Sequence, residues 1–412
     1  MAAKVLYISY DGMTDPLGQS QVIPYLQGLI AQGHRIALIS FEKPARYQKQ
    51  GEFIRQLLNG SGITWHPMMF TRRPPFLSKI YDVWQLHRKV KRLWKKERFD
   101  FTHCRSYVAA SAGLALKHAF GVPFLFDMRG FWVDERVDNG QWNLKNPFFR
   151  FFYNYYKKKE KAYFRESEHI ISLTWKGKQE LETRYEVPAG KVTVIPCCVD
   201  LKHFDYSRVD AAQVAEQKKA LGIRPGEQVL SYLGSLGGWY LEKEMLDFFR
   251  VLKTTYPAAR FLFITQDPVE KIARAASASG VDPKDIIVQP ATRKEVPLFL
   301  SLSDWAVFFI KDAYSKRASS PTKQGEIMAM GLPLICNDIG DTGRIVEDSA
   351  SGLVIREFSK PVYEQTARAV GDLLKLDKAL VRKAAFDYYD LAGGVANYQQ
   401  VYAAILTKTK KD

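Results

Sequence analysis

Short apolar segments typical of buried β-strands alternate with helix-length segments along almost the whole chain. The first series of predicted strands covers residues 4–9, 35–40, 62–66, 99–103, 123–127, 169–173 and 191–195. The second series covers residues 228–233, 260–265, 286–288, 305–310, 332–336 and 352–355. Because strands separated by helices form parallel βαβ units, the sequence predicts an α/β fold with two doubly wound parallel sheets. Ligands of such sheets bind at the carboxyl ends of the strands.

A polar, charged segment over residues 207–210 lies between the two series and is typical of a linker. The chain of 412 residues is long enough for two domains, each with its own core. We therefore predict an N-terminal domain over residues 1–205 and a C-terminal domain over residues 206–390. A last helix is predicted over residues 395–407, because apolar side chains recur on one face there.

The composition indicates a globular chain and disfavours several other classes of protein. No apolar stretch is long enough to span a membrane, and the first apolar run is too short for a signal peptide. Cys104, Cys197, Cys198 and Cys336 lack the spacing of a disulfide framework or a zinc site. The histidines show no metal-ligand spacing, and the sequence contains no Asp-x-Asp motif. We therefore expect a cytoplasmic protein with reduced thiols and no bound metal.

The formal net charge of +16 is concentrated in two stretches that also carry aromatic side chains. Residues 71–98 contain ten Lys or Arg residues, and residues 147–165 contain six. The first stretch has apolar side chains near helical spacing at Ile80, Trp84, Val90 and Trp94. These patterns predict amphipathic helices that bind an anionic membrane surface or a lipid phosphate. The alternative is a solvated basic face above core aromatics, and nucleic acid is disfavoured because no motif that reads it accompanies the charge.

A polar loop enters a predicted helix at Ser320, Pro321 and Thr322, and Gly331 ends that helix before a buried strand. The free N–H groups and the positive dipole end of such a helix favour a phosphate. Glu326 lies about a turn and a half inside the helix, where its carboxylate is placed to reach ribose hydroxyls beyond the phosphates. The alternative is an ordinary capped helix of an α/β domain.

Four segments together resemble the family 4 glycosyltransferases of the GT-B fold, and they follow one another in the order typical of that family. They are DPLGQSQVIPYLQGLIAQGHRIALIS, KVTVIPCCVDLKHF, LSYLGSLGGWYLEKEMLDFF, and the stretch from SSPTKQGEIMAMGLPLICNDIGDTGRIVED to SGLVI. The resemblance implies two Rossmann-like domains that face a cleft. It further implies that residues 391–412 form a helix that crosses back to the N-terminal domain.

In this family, the C-terminal domain binds a nucleotide-diphosphate sugar, here a UDP- or GDP-sugar, and the N-terminal domain binds the acceptor. The resemblance implies that Glu326 is the second glutamate of the Glu-x7-Glu motif and binds ribose; the alternative is a solvent-facing helix residue. The phosphates are expected beside Gly18 and beside the loop with Gly234, Ser235 and Gly237. The nucleobase is expected near Gln289.

The sequence departs from the family pattern at two donor-site positions. The first glutamate of Glu-x7-Glu falls on Ala318, and Ser235 stands where the family often has arginine. We expect Lys243, Arg317 or Lys323 to supply the positive charge that a diphosphate needs.

In the N-terminal domain, Arg129 stands where the family often has a histidine near the transferred sugar. A guanidinium cannot act as a base at neutral pH, but it binds phosphates and sugar hydroxyls. Asp127, Asp134 and Glu135 lie near it in the sequence. We predict catalytic roles for Arg129, Asp127 and Lys243, with a local ion-pair cluster as the alternative for the first two.

The resemblance implies a retaining, metal-independent transferase that needs no cofactor, in which the departing phosphate helps to deprotonate the acceptor. The basic aromatic stretches favour a glycan or polyprenyl-phosphate-linked acceptor at the inner face of the cell membrane. Two alternatives remain open at the level of sequence. One is a nucleotide-sugar epimerase of the same architecture, and the other is a non-catalytic sensor of nucleotide sugars.

Overall fold

The computed structural model describes residues 2–74 and 77–409, and the chain divides into two compact units. The first unit contains the chain up to Pro196, the short segment Tyr314–Ser319, and the chain from Leu391 onward. The second unit contains Cys197–Ala313 and Ser320–Asp390. The units therefore divide at residue 196, whereas the sequence pattern placed the boundary at residue 205. The final helix groups with the first unit.

The described part of the first unit holds a seven-stranded parallel sheet with the order β3-β2-β1-β4-β5-β6-β7. Its strands are β1 (Lys4–Ser9), β2 (Arg35–Glu42), β3 (Thr64–Met69), β4 (Phe101–Arg105), β5 (Phe124–Asp127), β6 (His169–Ser172) and β7 (Val192–Val194). The strand order reverses between β1 and β4, which makes this the topological switch point of the sheet. There Ser9 pairs with Arg105, and Arg105 pairs with Asp127. The carboxyl ends of three strands thus meet at one edge.

Helices connect these strands, as parallel pairing requires. They are α1 (Pro16–Gln21), α2 (Ile23–Ala31), α3 (Pro44–Gly60), α4 (Leu77–Glu97), α5 (Ser106–Phe120), α6 (Trp132–Asp138), α7 (Pro147–Glu166) and α8 (Trp175–Arg184). The core between sheet and helices is aromatic and aliphatic, with Leu6, Phe126 and Tyr163 among its buried members.

Across the residues described for the second unit, six parallel strands take the order β10-β9-β8-β11-β12-β13. They are β8 (Val229–Leu233), β9 (Arg260–Ile264), β10 (Ile286–Gln289), β11 (Trp305–Phe308), β12 (Leu334–Asn337) and β13 (Gly352–Ile355). The helices are α9 (Ala211–Ala220), α10 (Glu242–Thr255), α11 (Val269–Ala278), α12 (Val296–Leu300), α13 (Thr322–Ala329), α14 (Thr342–Asp348), α15 (Lys360–Leu373) and α16 (Lys378–Tyr389). The switch point lies between β8 and β11. The last helix of the chain is α17 (Leu391–Thr409).

These sheets confirm the prediction of two doubly wound Rossmann-like units, and each predicted strand overlaps an observed one. The sequence after the first strand favours a loop over residues 11–19 and a single helix over residues 20–32, and these boundaries were wrong. The structure instead has α1 and α2, with a break at Val22, whose ψ of −61° and φ of −126° are not helical. Pro24 lies two residues after Val22, and proline cannot donate the backbone hydrogen bond that would continue α1.

Helix α4 confirms the predicted helix but not the shared apolar face. Val90 is buried with Leu86, whereas Ile80 and Trp84 are 56% and 52% exposed. Trp84 is four positions after Ile80, but Val90 is six positions after Trp84, so the pair and Val90 lie on different sides of the helix. Over residues 2–74 and 77–409, no helix is both long and apolar enough to cross a membrane.

Candidate functional site

The ammonium of Lys323 is enclosed by two tyrosines at the start of α13. Its Nζ donates a hydrogen bond to the Tyr232 hydroxyl at 3.0 Å and lies 4.2 Å from the centroid of the Tyr232 ring. The centroid of the Tyr240 ring lies 3.4 Å from the same nitrogen. Tyr232 belongs to β8, and Tyr240 follows the loop after that strand. Faces of aromatic rings attract a cation, so the two rings fix the ammonium at the carboxyl edge of the second sheet.

The glycine loop after β8 passes directly beside this ammonium. Gly234 has a φ of 108°, which favours glycine, and a Cβ atom there would lie 3.1 Å from Lys323 Nζ. The loop is fixed by Asp267, which accepts hydrogen bonds from the Leu236 N–H at 2.6 Å and from the Thr265 hydroxyl at 3.0 Å. Glycine therefore leaves room for an anion to reach both the loop backbone and the ammonium.

Burial of Lys323 disfavours the charged form of its side chain when no anion is bound. The residue is 8% exposed, and burial lowers its pKa well below the usual range, while the Glu326 carboxylate opposes that shift. A bound phosphate would favour the protonated ammonium by direct Coulomb attraction. The site is thus suited to a ligand that brings negative charge.

Glu326 lies one turn further along α13 and is also buried. Burial raises the pKa of Glu326, and the Arg293 guanidinium opposes the rise by donating a hydrogen bond from Nη1 to Oε1 at 2.9 Å. Arg293 also stands over the Phe204 ring, 5.2 Å from its centroid, and its carbonyl accepts from His203 Nε2 at 3.0 Å. Sequence reasoning missed Arg293, although it is the first basic residue after the segment predicted to meet the nucleobase.

The start of α13 is not capped in the way that the Ser-Pro-Thr pattern suggests. Pro321 occupies the N-cap position and, in the described structure, its side chain gives no hydrogen bond to the helix. The Ser320 hydroxyl instead accepts a hydrogen bond from the Cys197 N–H at 3.2 Å. Thr322, the first helical residue, is half-buried. The first N–H groups of α13 are therefore not taken by a cap side chain and suit an external acceptor.

Other predicted donor residues lie in the same unit at the carboxyl ends of strands. Ser235 and Gly237 are exposed in the loop after β8. Gln289 ends β10, and its Nε2 donates to the Pro290 carbonyl at 2.9 Å. In the next segment, the Ala291 carbonyl accepts from the Gln266 side chain at 2.9 Å. These positions share one edge of the second sheet with Lys323.

The structure does not bring Lys243 into this group. Its side chain is 75% exposed on α10, and its Nζ pairs with the Asp247 carboxylate one turn away at 2.5 Å. A lysine held on the outer face of its own helix is placed for solvation rather than for a buried phosphate. Lys243 therefore does not occupy the ammonium position that Lys323 holds.

Arg317 and Ala318 belong to the first unit, within Tyr314–Ser319. Arg317 Nη1 contacts Glu180 Oε1 at 2.5 Å, and its carbonyl accepts from the Thr174 hydroxyl at 2.6 Å. Ala318 is fully buried, and a Cβ atom at Gly177 would lie 2.9 Å from its methyl group. We therefore expect little room for a longer side chain at position 318.

Gly18 lies inside α1 rather than in a loop. A Cβ atom there would collide with the carbonyl of Gly12, so packing of α1 on the preceding loop already requires glycine. That loop is fixed by the buried carboxylate of Glu42, which accepts from the N–H groups of Met13 at 2.7 Å and Thr14 at 3.0 Å.

Asp127 lies at the centre of a buried polar cluster in the first unit. Arg129 Nη1 is 3.8 Å from its Oδ1, whereas Arg105 Nη1 is 3.9 Å and His103 Nε2 is 3.6 Å from its Oδ2. The Tyr398 hydroxyl of α17 donates to Oδ2 at 3.2 Å. The structure thus brings together the predicted residues Asp127 and Arg129, and it adds Arg105, His103 and Tyr398.

Opposing influences act on the ionisation of this cluster. Burial raises the pKa of Asp127, but Arg129, His103 and Arg105 outweigh it, so the pKa lies below the usual range. Burial lowers the pKa of His103, despite the opposing contact with Asp127. A charged Asp127 beside a neutral imidazole is therefore the favoured state at neutral pH.

The other acidic residues near Arg129 in the sequence have partners elsewhere in the first unit. Asp134 accepts from Lys157 Nζ at 2.9 Å and from the Tyr153 hydroxyl at 2.9 Å. Glu135 pairs with Lys316 at 3.0 Å. For the part of the chain that the structure describes, no group of three or more His, Cys, Asp or Glu side chains is arranged to hold a metal ion.

Comparison with known proteins gives matches to both halves of the chain. Residues 21–203 match the family model described as Glycosyltransferase Family 4, and residues 227–375 match the model described as Glycosyl transferases group 1. Alpha-monoglucosyldiacylglycerol synthase of Acholeplasma laidlawii is 25% identical over 237 residues, which cover 54% of this chain and 55% of that protein. The chain spans about half the length of the curated relatives it matches.

Solved structures resemble the whole chain more closely in fold than in sequence. A glycosyltransferase from Rickettsia africae has a TM-score of 0.70 at 14% identity, covering 98% of both chains. Anabaena Alr3699/HepE in complex with UDP has a TM-score of 0.71 at 12% identity, covering 97% of this chain and 100% of that one. At these identities, the likeness is one of fold.

Proposed function

We propose that this chain, which belongs to the family 4 glycosyltransferases of the GT-B fold, transfers a sugar from a nucleotide-diphosphate sugar to a glycan or lipid-linked acceptor. The observation that carries the proposal is the buried ammonium of Lys323 beside Gly234, with the carboxylate of Glu326 one helical turn away. Lys323 and the start of α13 would bind the diphosphate, and Glu326 would bind the ribose. The N–H groups at a helix start bind phosphate, which supports the place proposed for the diphosphate.

A uridine nucleotide is the first donor to test. The Anabaena protein of similar fold was solved with UDP. Gln289 and the segment after it, at the carboxyl end of β10, would meet the base, and Arg293 would hold the Glu326 carboxylate toward the ribose. GDP-sugars are the second choice, because the edge of a base can also be read by a side-chain amide such as that of Gln289.

The proposed reaction retains the configuration of the transferred sugar. The bond between the anomeric carbon and the departing phosphate oxygen breaks, and a bond to the acceptor oxygen forms on the same face. The proton of the acceptor hydroxyl passes to the departing phosphate oxygen. Lys323 would stabilise the negative charge that develops on the diphosphate, because a fixed cation in a buried site needs little reorganisation during the reaction.

Metal independence is part of the same proposal. Lys323 and the N–H groups at the start of α13 would balance the charge that a divalent cation balances in other transferases. Transfer that persists at an unchanged rate in excess EDTA would support this role. A rate that falls in EDTA and recovers with Mg²⁺ or Mn²⁺ would contradict it.

The acceptor is proposed to be lipid-linked and reached at the cytoplasmic face of the membrane. Helices α4 and α7 expose large apolar side chains among basic ones, at Leu77, Ile80, Tyr81, Trp84, Phe148, Phe151 and Tyr155. Such a surface binds the interface of an anionic bilayer through both apolar burial and charge. One relative is named for the synthesis of a glucosylated diacylglycerol.

Turnover with defined donors tests the proposal. The purified protein is incubated with UDP-glucose, UDP-galactose or GDP-mannose and a membrane lipid extract, and free nucleotide and glycosylated lipid are measured. We expect stoichiometric release of nucleotide and glycolipid, with the anomeric configuration of the donor kept in the product by NMR. Isomerised free donor would instead indicate an epimerase, and donor binding without turnover would indicate a sensor.

A further inference from the structure

The glycine loop after β8, residues 234–238, contains three glycines in a left-handed conformation. The φ values of Gly234, Gly237 and Gly238 are 108°, 89° and 64°. Glycine permits this path, but it also gives an unsupported loop many other conformations, and ordering such a loop on binding costs free energy. The loop therefore binds a phosphate beside Lys323 more tightly if other groups already hold it in place.

Side chains from outside the loop hold Leu236 by both of its backbone polar groups. The Leu236 N–H donates to Asp267 Oδ2 at 2.6 Å, and the Leu236 carbonyl accepts from Lys271 Nζ at 3.3 Å. The side chain of Leu236 is buried as well. Because Leu236 is the middle residue of the loop, these contacts restrain the backbone on both sides of it.

The Tyr232 hydroxyl holds the loop one residue earlier. It donates to the Ser235 carbonyl at 2.7 Å and accepts from Lys323 Nζ at 3.0 Å. A single hydroxyl thus links the buried ammonium to the backbone of the loop. Tyr232 therefore sets the distance between Lys323 and the loop, and Asp267 holds the next residue, Leu236.

The turn after β9 does not by itself require the hydrogen bond between Leu236 and Asp267. That turn is closed by Thr265, whose hydroxyl accepts from the Asp267 N–H at 3.1 Å and donates to Asp267 Oδ2 at 3.0 Å. Pro268, rather than Asp267, is the N-cap residue of α11. The bond from Leu236 is shorter than the bond from Thr265, although it joins residues 31 positions apart. The carboxylate therefore has a second role, which is to hold the loop after β8.

The carboxylate of Asp267 is ionised and lies beside a cation. Burial raises the pKa of Asp267, but the Leu236 N–H, the Thr265 hydroxyl and Lys271 outweigh burial, so the pKa lies below the usual range. Lys271 Nζ is 3.3 Å from Asp267 Oδ1. An ionised carboxylate accepts a stronger hydrogen bond than a neutral group does. The ammonium of Lys271 offsets the repulsion that this carboxylate would exert on a nearby phosphate.

We propose that Asp267 is a positioning residue for phosphate binding, because it holds Leu236 and so keeps the glycine loop beside the Lys323 ammonium. The inference rests on the proposed function, since the phosphates are those of the nucleotide donor. Asp267 acts through the backbone of the loop and is not proposed to touch the nucleotide. Its removal should therefore weaken the binding of phosphates and leave the binding of the nucleoside unchanged.

Two measurements on Asp267→Ala test this role. Calorimetry gives the affinities of UDP and uridine, and hydrogen exchange followed by mass spectrometry reports the opening of residues 234–238. We expect UDP binding to weaken by about tenfold or more, because a hydrogen bond to a charged group and the preorganisation of the loop are lost. Uridine binding should stay unchanged, and hydrogen exchange in the loop should become faster.

Asp267→Asn keeps the shape of the side chain and one acceptor oxygen, but it removes the charge. Hydrogen bonds between neutral groups are about half as strong as charge-assisted ones, so we expect UDP to bind about threefold more weakly than to wild type. This variant should thus rescue part of the loss seen in Asp267→Ala. If Asp267→Ala does not fold, Asp267→Asn decides the test, and a UDP affinity equal to that of wild type would overturn the proposal.

Asp304→Ala and Asp304→Asn are the matched controls, because Asp304 accepts from the Val229 N–H at 2.7 Å at the other end of β8. They remove the same kind of hydrogen bond from the same unit and should keep the wild-type ratio of UDP affinity to uridine affinity. The proposal is overturned if Asp267→Ala leaves this ratio unchanged, or if Asp304→Ala lowers it equally. A lower ratio in Asp267→Ala without faster exchange in the loop would also overturn it.

Failure of the proposed function gives a different pattern from failure of this inference. If UDP binding depends on Asp267 but no donor is turned over, the inference stands and the transferase proposal fails. If Asp267→Ala turns over a UDP-sugar with the wild-type kcat and KM, the transferase proposal stands and the inference fails. If wild type binds GDP rather than UDP, the same comparison is made with GDP and guanosine.

Discussion

The Lys323 ammonium lies 3.4 Å from the centroid of the Tyr240 ring. Together with the Tyr232 hydroxyl, this contact holds a buried cation against neutral groups, with the Glu326 carboxylate one helical turn away. Neutral partners stabilise a buried charge less than a direct ion pair does. A bound anion beside the glycine loop would therefore stabilise this cation. Without an anion, the buried charge lowers the free energy of unfolding.

Replacing Lys323 should weaken UDP binding but raise the free energy of unfolding. Lys323→Met is expected to weaken UDP binding by about 10- to 100-fold, because a charged hydrogen bond is lost, and to leave uridine binding nearly unchanged. The free energy of unfolding should rise, because burial lowers the pKa of Lys323 and the unfolded chain therefore holds the proton more tightly. Calorimetry and urea denaturation at pH 7 measure the two effects.

Lys375→Met is the control for this substitution, because Lys375 is a surface residue paired with Asp372. It should change neither quantity. Equal loss of uridine and UDP binding in Lys323→Met would contradict a role at the phosphates.

Removing the Glu326 carboxylate should weaken nucleotide binding through the ribose. Glu326→Ala is expected to cost about 1 to 3 kcal/mol of UDP binding energy. The loss should be smaller for 2′-deoxy-UDP, which lacks one of the ribose hydroxyls. Calorimetry on both nucleotides makes the comparison, with Glu364→Ala on the outer face of α15 as the control. An unchanged affinity for UDP would remove Glu326 from the site.

Placing the family's glutamate at position 318 should destabilise the folded state. Ala318→Glu places a carboxylate in a fully buried position against Gly177, and we expect it to lower the free energy of unfolding by about 2 kcal/mol or more. Ala318→Ser, which adds one oxygen, should cost less. Thermal denaturation measures both. A melting temperature of Ala318→Glu equal to that of wild type would show that position 318 has room for the longer side chain.

Acid should weaken the first unit through His169. Burial lowers the pKa of His169 to about 4, whereas an unfolded histidine titrates near about 6.5. Between these values, the unfolded state binds more protons, so stability falls as the pH falls, by at most about 1.4 kcal/mol per pH unit. His169→Gln keeps a polar side chain near Thr193 but cannot titrate. Urea denaturation from pH 7 to 4 should show a steeper loss for wild type, and parallel curves would refute the assignment.

Helix α4 should contribute to membrane binding through both charge and apolar contact. Replacing Lys89, Lys91, Arg92, Lys95 and Lys96 with glutamine is expected to reduce binding to anionic liposomes, most strongly at low salt. Replacing Ile80 and Trp84 with serine should reduce binding at all salt concentrations, because these side chains are exposed and apolar. Phe386→Ser, on α16 of the second unit, is the control for loss of an exposed aromatic. Full retention of both α4 variants on liposomes would leave α4 with a structural role.

The strand pattern and the start of α13 were predictable because they depend on local properties. Buried parallel strands appear in the sequence as continuous apolar runs. Gly331 has a φ of 65°, and a glycine in this conformation ends a helix without help from tertiary contacts. Glu326 was predictable as a candidate because its distance from the helix start is fixed by the helical rise. Gly18 was assigned to a loop, although it lies in α1. In a sequence, a glycine that permits close packing cannot be distinguished from one that forms a loop.

The sequence alone therefore determined two doubly wound units, the helix that we propose binds the donor, and the break in the family pattern at Ala318. The tertiary structure decided which charges lie together. Lys323 lies against the Tyr240 ring, whereas Lys243 pairs with Asp247 on the surface. Glu326 pairs with Arg293. Asp127 contacts Arg105, His103 and Tyr398, which come from distant parts of the chain. Electrostatic partners depend on distances of a few ångströms between residues far apart in sequence, and the order of residues does not encode such distances locally.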